Sequence, residues 1–305
     1  MKILILNDSH DKGINPVNRL DNYHESLLLK LEETIQLSKD CDFVIHLGDV
    51  WDSSHVANTV IDDWLDRIEA SKKMWYILPA NHDMLNGKWE NSNSSALAHS
   101  FRRSKWVQPL TELELDDCYI KGYPYYFNCE EDIKEKGLIH QSKKKLTIAC
   151  THSLITVKPF LSQVLHVQTK DIKCNYNWVL CSHFHSSFDE TINKTRFLNL
   201  GVYGRTSINE AKQTPSIAIC DTQKQTIDVI SLKSAKRADI IFDLTKYNDL
   251  KKNEKTIEEF LESLNNVQWQ GTDILSQIQM IGKEQKIDQK IIDYLLQKIG
   301  KLTNE

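Results

Sequence analysis

Five short apolar runs in this 305-residue chain end in polar residues of the kinds that bind metal ions. They are Asp8-Ser9-His10, Gly48-Asp49-Val50-Trp51-Asp52, Asn81-His82-Asp83, Thr151-His152 and Ser182-His183-Phe184-His185. A donor set of Asp, Asn and His without thiolate suits a pair of Mn, Fe or Zn ions better than a tetrahedral structural zinc, and better than an all-oxygen Ca or Mg cage. Two divalent ions about 3.5–4 Å apart need a bridging carboxylate and terminal ligands on each side, and they arm a water for in-line attack at phosphorus. The chain supplies each part. Asp8, His10 and His185 are candidates for one ion, Asn81, His152 and His183 for the other, and Asp49 for the bridge. His82, next to Asn81, would face the substrate as general acid or stabiliser of the leaving oxygen, a role worth ~10²–10⁴-fold. Asp52 and Asp83 would orient their neighbours.

Each motif alone has an ordinary explanation: an Asp after a strand often caps the next helix, and a Gly-Asp pair often makes a turn. Five matches in a fixed order, each at the end of a strand, do not reduce to turn chemistry.

The positioning elements follow from the pattern. Residues 2–6, 43–46, 75–78, 146–150 and 178–181 are short apolar runs rich in β-branched or aromatic residues and read as buried strands. Residues 22–39 and 56–72 place apolar residues at helical spacing among charges and read as amphipathic helices. Strand, helix, strand, helix, strand implies crossover connections and a largely parallel sheet, whose strand ends share one edge. Residues 196–200, 216–221 and 226–232 read as strands joined by short turns, expected to form a second, antiparallel sheet. The fold class is therefore α/β, a sandwich. The composition turns polar after Leu232, which puts a domain boundary near 235, giving domains 1–234 and 235–305. In the second, 256–264 and 289–299 read as helices around a strand at 273–281.

Composition narrows the function. The chain is 40% hydrophobic and 26% charged, which excludes fibrous and wholly disordered classes. Net charge is −4, from 38 basic and 42 acidic residues, so no global positive field draws it to nucleic acid or anionic membrane. DNA contact would need local patches. The candidates are Arg102, Arg103 and Lys105 beside Trp106, and Lys143, Lys144 and Lys145. Seven cysteines form no CxxC pair and lie mostly in apolar runs, as expected of free thiols in a reducing, cytoplasmic setting. No stretch reads as a signal peptide or membrane span.

The order D-x-H, GDxxD, NHD, H, H-x-H resembles the calcineurin-like metallophosphoesterase superfamily over residues 1 to about 232. The resemblance implies an αββα sandwich and a dinuclear centre built from the residues named above, with Mn the usual ion in nuclease members and Fe, Zn or Mg as other occupants. Ala80 and Ser182 stand where the family usually has Gly. Within the superfamily the chain is most similar to SbcD-type DNA repair nuclease subunits, through the opening KILILNDSH, Arg19, the GDVWD sequence with Asp52, and LGVYGRTSINE at 200–210. Some relatives have a His in the place of Asp52; His55 lies nearby but reads first as a solvated residue at a helix start. This likeness implies a Mn-dependent DNA exonuclease, with endonuclease activity also open, and a small cap-like domain after the core. It also implies a homodimer paired through helices near 56–72 and 86–103, and an SMC-like coiled-coil ATPase partner; the apolar stripe of 289–299 is one candidate for that contact, although packing against the cap-like domain accounts for it first. Two rivals remain: a phosphatase or nucleotide phosphodiesterase on small substrates, because the metal pair is indifferent to what the phosphate carries, and a non-catalytic scaffold.

Overall fold

The computed structural model describes residues 1–85, 89–160 and 164–244. In chain order the first half holds β1 (Lys2–Leu6), α1 (Tyr23–Leu37), β2 (Phe43–His46), α2 (Asn58–Ser71), β3 (Trp75–Ile77), α3 (Ala96–Arg103), β4 (Val107–Pro109), β5 (Glu112–Glu114), β6 (Cys118–Tyr123) and α4 (Cys129–Lys136). There follow β7 (Leu146–His152), β8 (Ile155–Thr156), β9 (Val167–Gln168), β10 (Trp178–Ser182), β11 (Phe188–Ile192), β12 (Thr195–Asn199), β13 (Ser216–Asp221), β14 (Thr226–Ser231) and α5 (Ala238–Ile241).

Period-2 alternation along β1 separates two cores. Leu4 and Leu6 pack outward against Leu27, Leu31, Val60, Ile61 and Trp64 of α1 and α2, while Ile3 and Ile5 point inward to meet Ile148 and Cys150 of β7, Leu180 of β10 and Leu198 of β12. A third cluster covers the far face of the second sheet, where Tyr119, Ala149, Val179 and Phe197 meet Ile133 of α4. The layers are helices, sheet, sheet, helix, an αββα sandwich whose interior is apolar because the central strands offer apolar side chains to both faces.

Of the five α-helices described, α1 and α3 begin where the sequence supplies a side-chain cap. The Asn22 side chain accepts from Glu25 N at 3.2 Å and starts α1. Lys72, left-handed at φ 52°, ends α2.

Strand order corrects one expectation. The first sheet runs β14-β13-β1-β2-β3-β4 and the second β11-β12-β10-β7-β6-β5. The strands at 216–221 and 226–232 therefore do not form a separate antiparallel sheet with 196–200. β13 pairs antiparallel with β1, and β14 with β13, extending the first sheet. β12 pairs parallel with β10, which itself pairs parallel with β7. Short turns told of neighbours in sequence, whereas β13 finds its edge partner at the other end of the unit, through Lys2↔Asp221 and the pairs beyond it. Both sheets are mixed, with parallel centres.

Met1–Phe242 forms one compact unit, so residues 235–242, which composition places beyond the expected boundary near 235, pack with the first domain. Leu20 N donates to Ile241 O, and the Glu33 carboxylate accepts from Lys233 N and Ser234 N, which tie the segment after β14 back onto α1 and the loop before it. The helices and strand read at 256–264, 273–281 and 289–299 lie outside the described residues. All seven cysteines are free, and only Cys174 is not fully buried. Among the described residues no helix is long and apolar enough to cross a membrane.

Candidate metal centre

The parallel centres of the two sheets bring their strand ends to one edge. The first sheet delivers Asp8 and His10 after β1, Asp49 after β2 and Asn81 after β3; the second delivers His152 at the end of β7 and His183 and His185 after β10. The loops are zipped together by backbone: Asp8 N donates to Gly48 O at 3.2 Å, His10 N to Asp49 O at 3.0 Å and Asp11 N to Val50 O at 2.9 Å. Asp8, His10, Asp49 and His183 all adopt left-handed backbone, with φ of 46°, 50°, 52° and 77°. Four such non-glycine residues at one edge are costly and persist only where the surroundings enforce them, which turns their side chains toward a shared point.

That point has two halves. Ligand-type atoms of Asp8, His10 and His185 gather in one group and those of Asp49, His152 and His183 in another. His10 Nε2 lies 3.1 Å from His185 Nε2, and His152 Nε2 lies 2.9 Å from Asn81 Oδ1. Asp49 stands between, its Oδ2 3.7 Å from His10 Nε2 and 3.3 Å from His152 Nε2. His152 Nδ1 donates to Leu47 O at 2.8 Å, so in the neutral ring Nε2 carries a lone pair aimed at two oxygen acceptors. Asp8 Oδ1 is buried without a hydrogen-bond partner. Electron-rich atoms converging in a buried place require positive charge among them, and divalent cations fit this donor set.

The protonation pattern agrees. Burial lowers His10, and burial together with the charge of His152 holds His183 down at about 3, so both rings stay neutral with a lone pair to give. Burial also acts to lower His152, but the Asp49 carboxylate outweighs it and lifts the ring to about 9. Burial alone would raise Asp49; His152, then His10 and His82, hold its carboxyl far below the usual range.

Around these groups sit the residues that hold them. Ser182, where the family usually has Gly, donates through Oγ to Asp8 Oδ2 at 2.7 Å, and Asn7 Nδ2 donates to the same oxygen at 2.9 Å. Gly48, at φ +104°, leaves no room for a side chain, since a Cβ there would lie 2.6 Å from both His152 Nδ1 and Ala80 Cβ. The Glu210 carboxylate accepts from His185 Nδ1 at 2.7 Å and from Thr206 N and Ser207 N. This bond fixes the His185 tautomer and, against the effect of burial, raises its basicity. Replacing Glu210 by Gln should weaken metal affinity by about 10–100-fold, as measured by titration with Mn or Zn, with the melting temperature of the metal-free protein little changed. In the sequence Glu210 stands out only as the last letter of LGVYGRTSINE, because a carboxylate 25 residues beyond its histidine gives no local signal.

Beside the ligand groups, His82 N donates to Asp49 Oδ1 at 3.1 Å, and the His82 ring Nδ1 donates to Asp52 O at 2.6 Å. The ring is partly exposed and sits 4.8 Å, centroid to centroid, from His10. Asp52 lies 3.7 Å from His10 Nδ1 and forms an ion pair with Lys12 at 2.9 Å. Lys12 belongs to none of the motifs; it follows His10 by two residues and brings an ammonium group to this loop. Asp83 is fully buried, accepts from Ala80 N at 3.0 Å, and is raised well above the usual carboxyl range by burial and by Asp49. His55 is exposed and bonded to Ser54, outside the cluster.

The basic clusters are not at this edge. Trp75 N donates to Trp106 O, and β4 pairs parallel with β3 at Trp75↔Val107, so residues 102–106 lie at the opposite rim. Arg103 is committed there to Asp62, Asp66 and Glu69, Arg102 donates to Asn93 O, and Lys105 lies over the Trp106 ring. Lys143, Lys144 and Lys145 precede β7, whose full length separates them from His152, about 20 Å at roughly 3.3 Å per residue.

Residues 1–187 match the family of calcineurin-like phosphoesterases. No curated protein matches the chain. Among solved structures the chain is similar to an archaeal phosphodiesterase, with a TM-score of 0.41 and 18% identity over 76% of this chain and 100% of that one. It is also similar to a protein of Thermus thermophilus, with a TM-score of 0.46 and 11% identity over 75% and 98%. With its αββα layers and a histidine, carboxylate and amide cluster at the shared strand edge, the chain belongs to the calcineurin-like phosphoesterase family.

Proposed function

We propose that this metal-dependent phosphoester hydrolase is a Mn-dependent DNA nuclease of the SbcD type, an exonuclease by preference. The observation that carries the catalytic part is the position of Asp49 between two ligand groups. Asp8, His10 and His185 would hold one ion, Asn81, His152 and His183 the other, with Asp49 shared. The ions, when bound, supply Lewis acidity at phosphorus and a nucleophile at neutral pH. The protein does the rest. Burial keeps the lone pairs of His10 and His183 available, Glu210 and Ser182 hold His185 and Asp8 in place, and His82 offers a ring nitrogen on the open side for the departing oxygen.

The nuclease part is supported by the GDVWD and LGVYGRTSINE sequences and by Asp52, held beside His10. The same resemblance supports a homodimer and an SMC-like ATPase partner. A second reading, a phosphoesterase acting on small substrates, is favoured by the position of both sequence-derived basic clusters away from the metal edge. The full chain reconstituted with Mn should degrade linear DNA far faster than p-nitrophenyl phosphate or bis(p-nitrophenyl) phosphate. The reverse preference would retire the nuclease and keep the phosphoesterase. Metal analysis after reconstitution should find two ions per chain, and a chain that holds none would restore the scaffold reading.

A further inference from the structure

β6 pairs parallel with β7 in the register Tyr123↔Thr151, so the loop that follows β6 emerges at the metal edge, directly beside His152. Its sequence is unusual: Tyr123-Pro124-Tyr125-Tyr126-Phe127, four aromatic rings in five residues. Tyr123 packs against the core beside Tyr176, whereas the last two rings face solvent. Phe127 is 77% exposed and Tyr126 45%. The Tyr125 ring stands 5.6 Å from that of His183, and Tyr125 N is tied to Pro79 O, two residues before Asn81. Tyr126 is oriented by a bond from its hydroxyl to Asp132.

Beneath these rings lies a cleft of about 610 Å³. Its walls include Pro79, Met84, Leu110, Tyr125 and Tyr126. The volume falls in the ordinary range for small-molecule sites, and the lining is of the ordinary kind, apolar and aromatic with few polar groups. Two of those polar groups, Glu112 and Lys121, offer an acceptor and a donor. The cleft begins at Pro79 and Met84, which flank the Asn81-His82-Asp83 turn, so it adjoins the metal centre.

We infer that this cleft receives the nucleobase of the substrate, stacked on Tyr125 and Tyr126, while its phosphate reaches the metal centre. This deepens the proposed function and rests on the reading of the edge as a phosphoester site, though not on DNA being the substrate. A phosphoester bound at the edge must send its organic groups somewhere, and the flat π-face of a base is the common group that tyrosine rings accept without regard to sequence. Glu112 and Lys121 then face the hydrogen-bonding edge of the base.

The test is calorimetric titration of the full chain, with and without Mn, using deoxyadenosine monophosphate and deoxyribose 5-phosphate as probes. The base should improve affinity by about tenfold in both conditions, the scale of one stacked base. Tyr125→Ala should collapse the ratio between the probes toward one, and Tyr125→Phe should keep it. Thr111→Trp, a substitution at an exposed position on the cleft wall, should collapse it by filling the space, and serves should Tyr125→Ala not fold. Equal affinity for the two probes in the wild type overturns the inference, as does a base advantage that survives both Tyr125→Ala and Thr111→Trp. A short single strand, run beside the mononucleotide, tells whether a chain end or a free nucleotide supplies the base. Failure to cut DNA would remove the nuclease reading without touching this result, because the titration reads the base and not the reaction.

Discussion

Asp49→Asn should reduce hydrolysis by on the order of a thousandfold or more, because the several kcal/mol that a metal pair contributes to the transition state depends on the carboxylate shared between both groups. The side chain is 1% exposed and reaches His10 and His152 with one oxygen while accepting from His82 N with the other. Asn keeps the shape and an acceptor for His82 N and deletes the charge, so the fold should survive and metal content should fall from two ions per chain. Turnover within tenfold of wild type would remove the bridging assignment.

The same variant has a pH signature in the metal-free protein. His152 is lifted to about 9 by Asp49 against the opposing effect of burial, whereas an unfolded histidine titrates near 6.5. A folded value above the unfolded one means that the stabilisation is complete below about pH 6.5 and is lost as pH rises toward 9. In chelator, the melting temperature of the wild type should decline across that window. Asp49→Asn should flatten the decline, and saturating metal should flatten it too, since ligation needs the deprotonated ring.

His82→Asn should lower kcat by about 10²–10⁴-fold with metal content unchanged. The ring donates from Nδ1 to Asp52 O, which leaves Nε2 as the working atom, and the ring lies beside His10 without belonging to either of the two principal ligand groups. It does form a third grouping with His10 and Asp52. Should metal content and turnover fall together, that grouping is a ligand set and the proton donor must be sought elsewhere.

The candidate ligands were legible because a β-strand announces itself by a run of apolar residues, and a ligand at its end by an abrupt polar neighbour. Parallel pairing then collects such ends without further information. What sits around the ligands was not legible. Ser182 stood out only as a departure from Gly, although its hydroxyl binds Asp8, and Lys12 and Glu210 act through contacts that depend on loop conformation. Sheet membership failed for a related reason: β13 is as apolar as β1, and nothing local in either says that they pair. The helix α4 went unseen because its sequence, CEEDIKEK, is largely charged, with Cys129 and Ile133 its only buried apolar side chains.

Four of the gathered side chains come from one sheet, within the first 81 residues, and three from the other, between 152 and 185. A ribosome making this protein must therefore expose the chain as far as His185 before any ion can find its full complement of partners. Until then Asp49 and its companions are ordinary solvated groups on a half-built layer. Occupancy of the centre thus doubles as a timestamp, reporting that β7 and β10 have been made and have docked against the first layer.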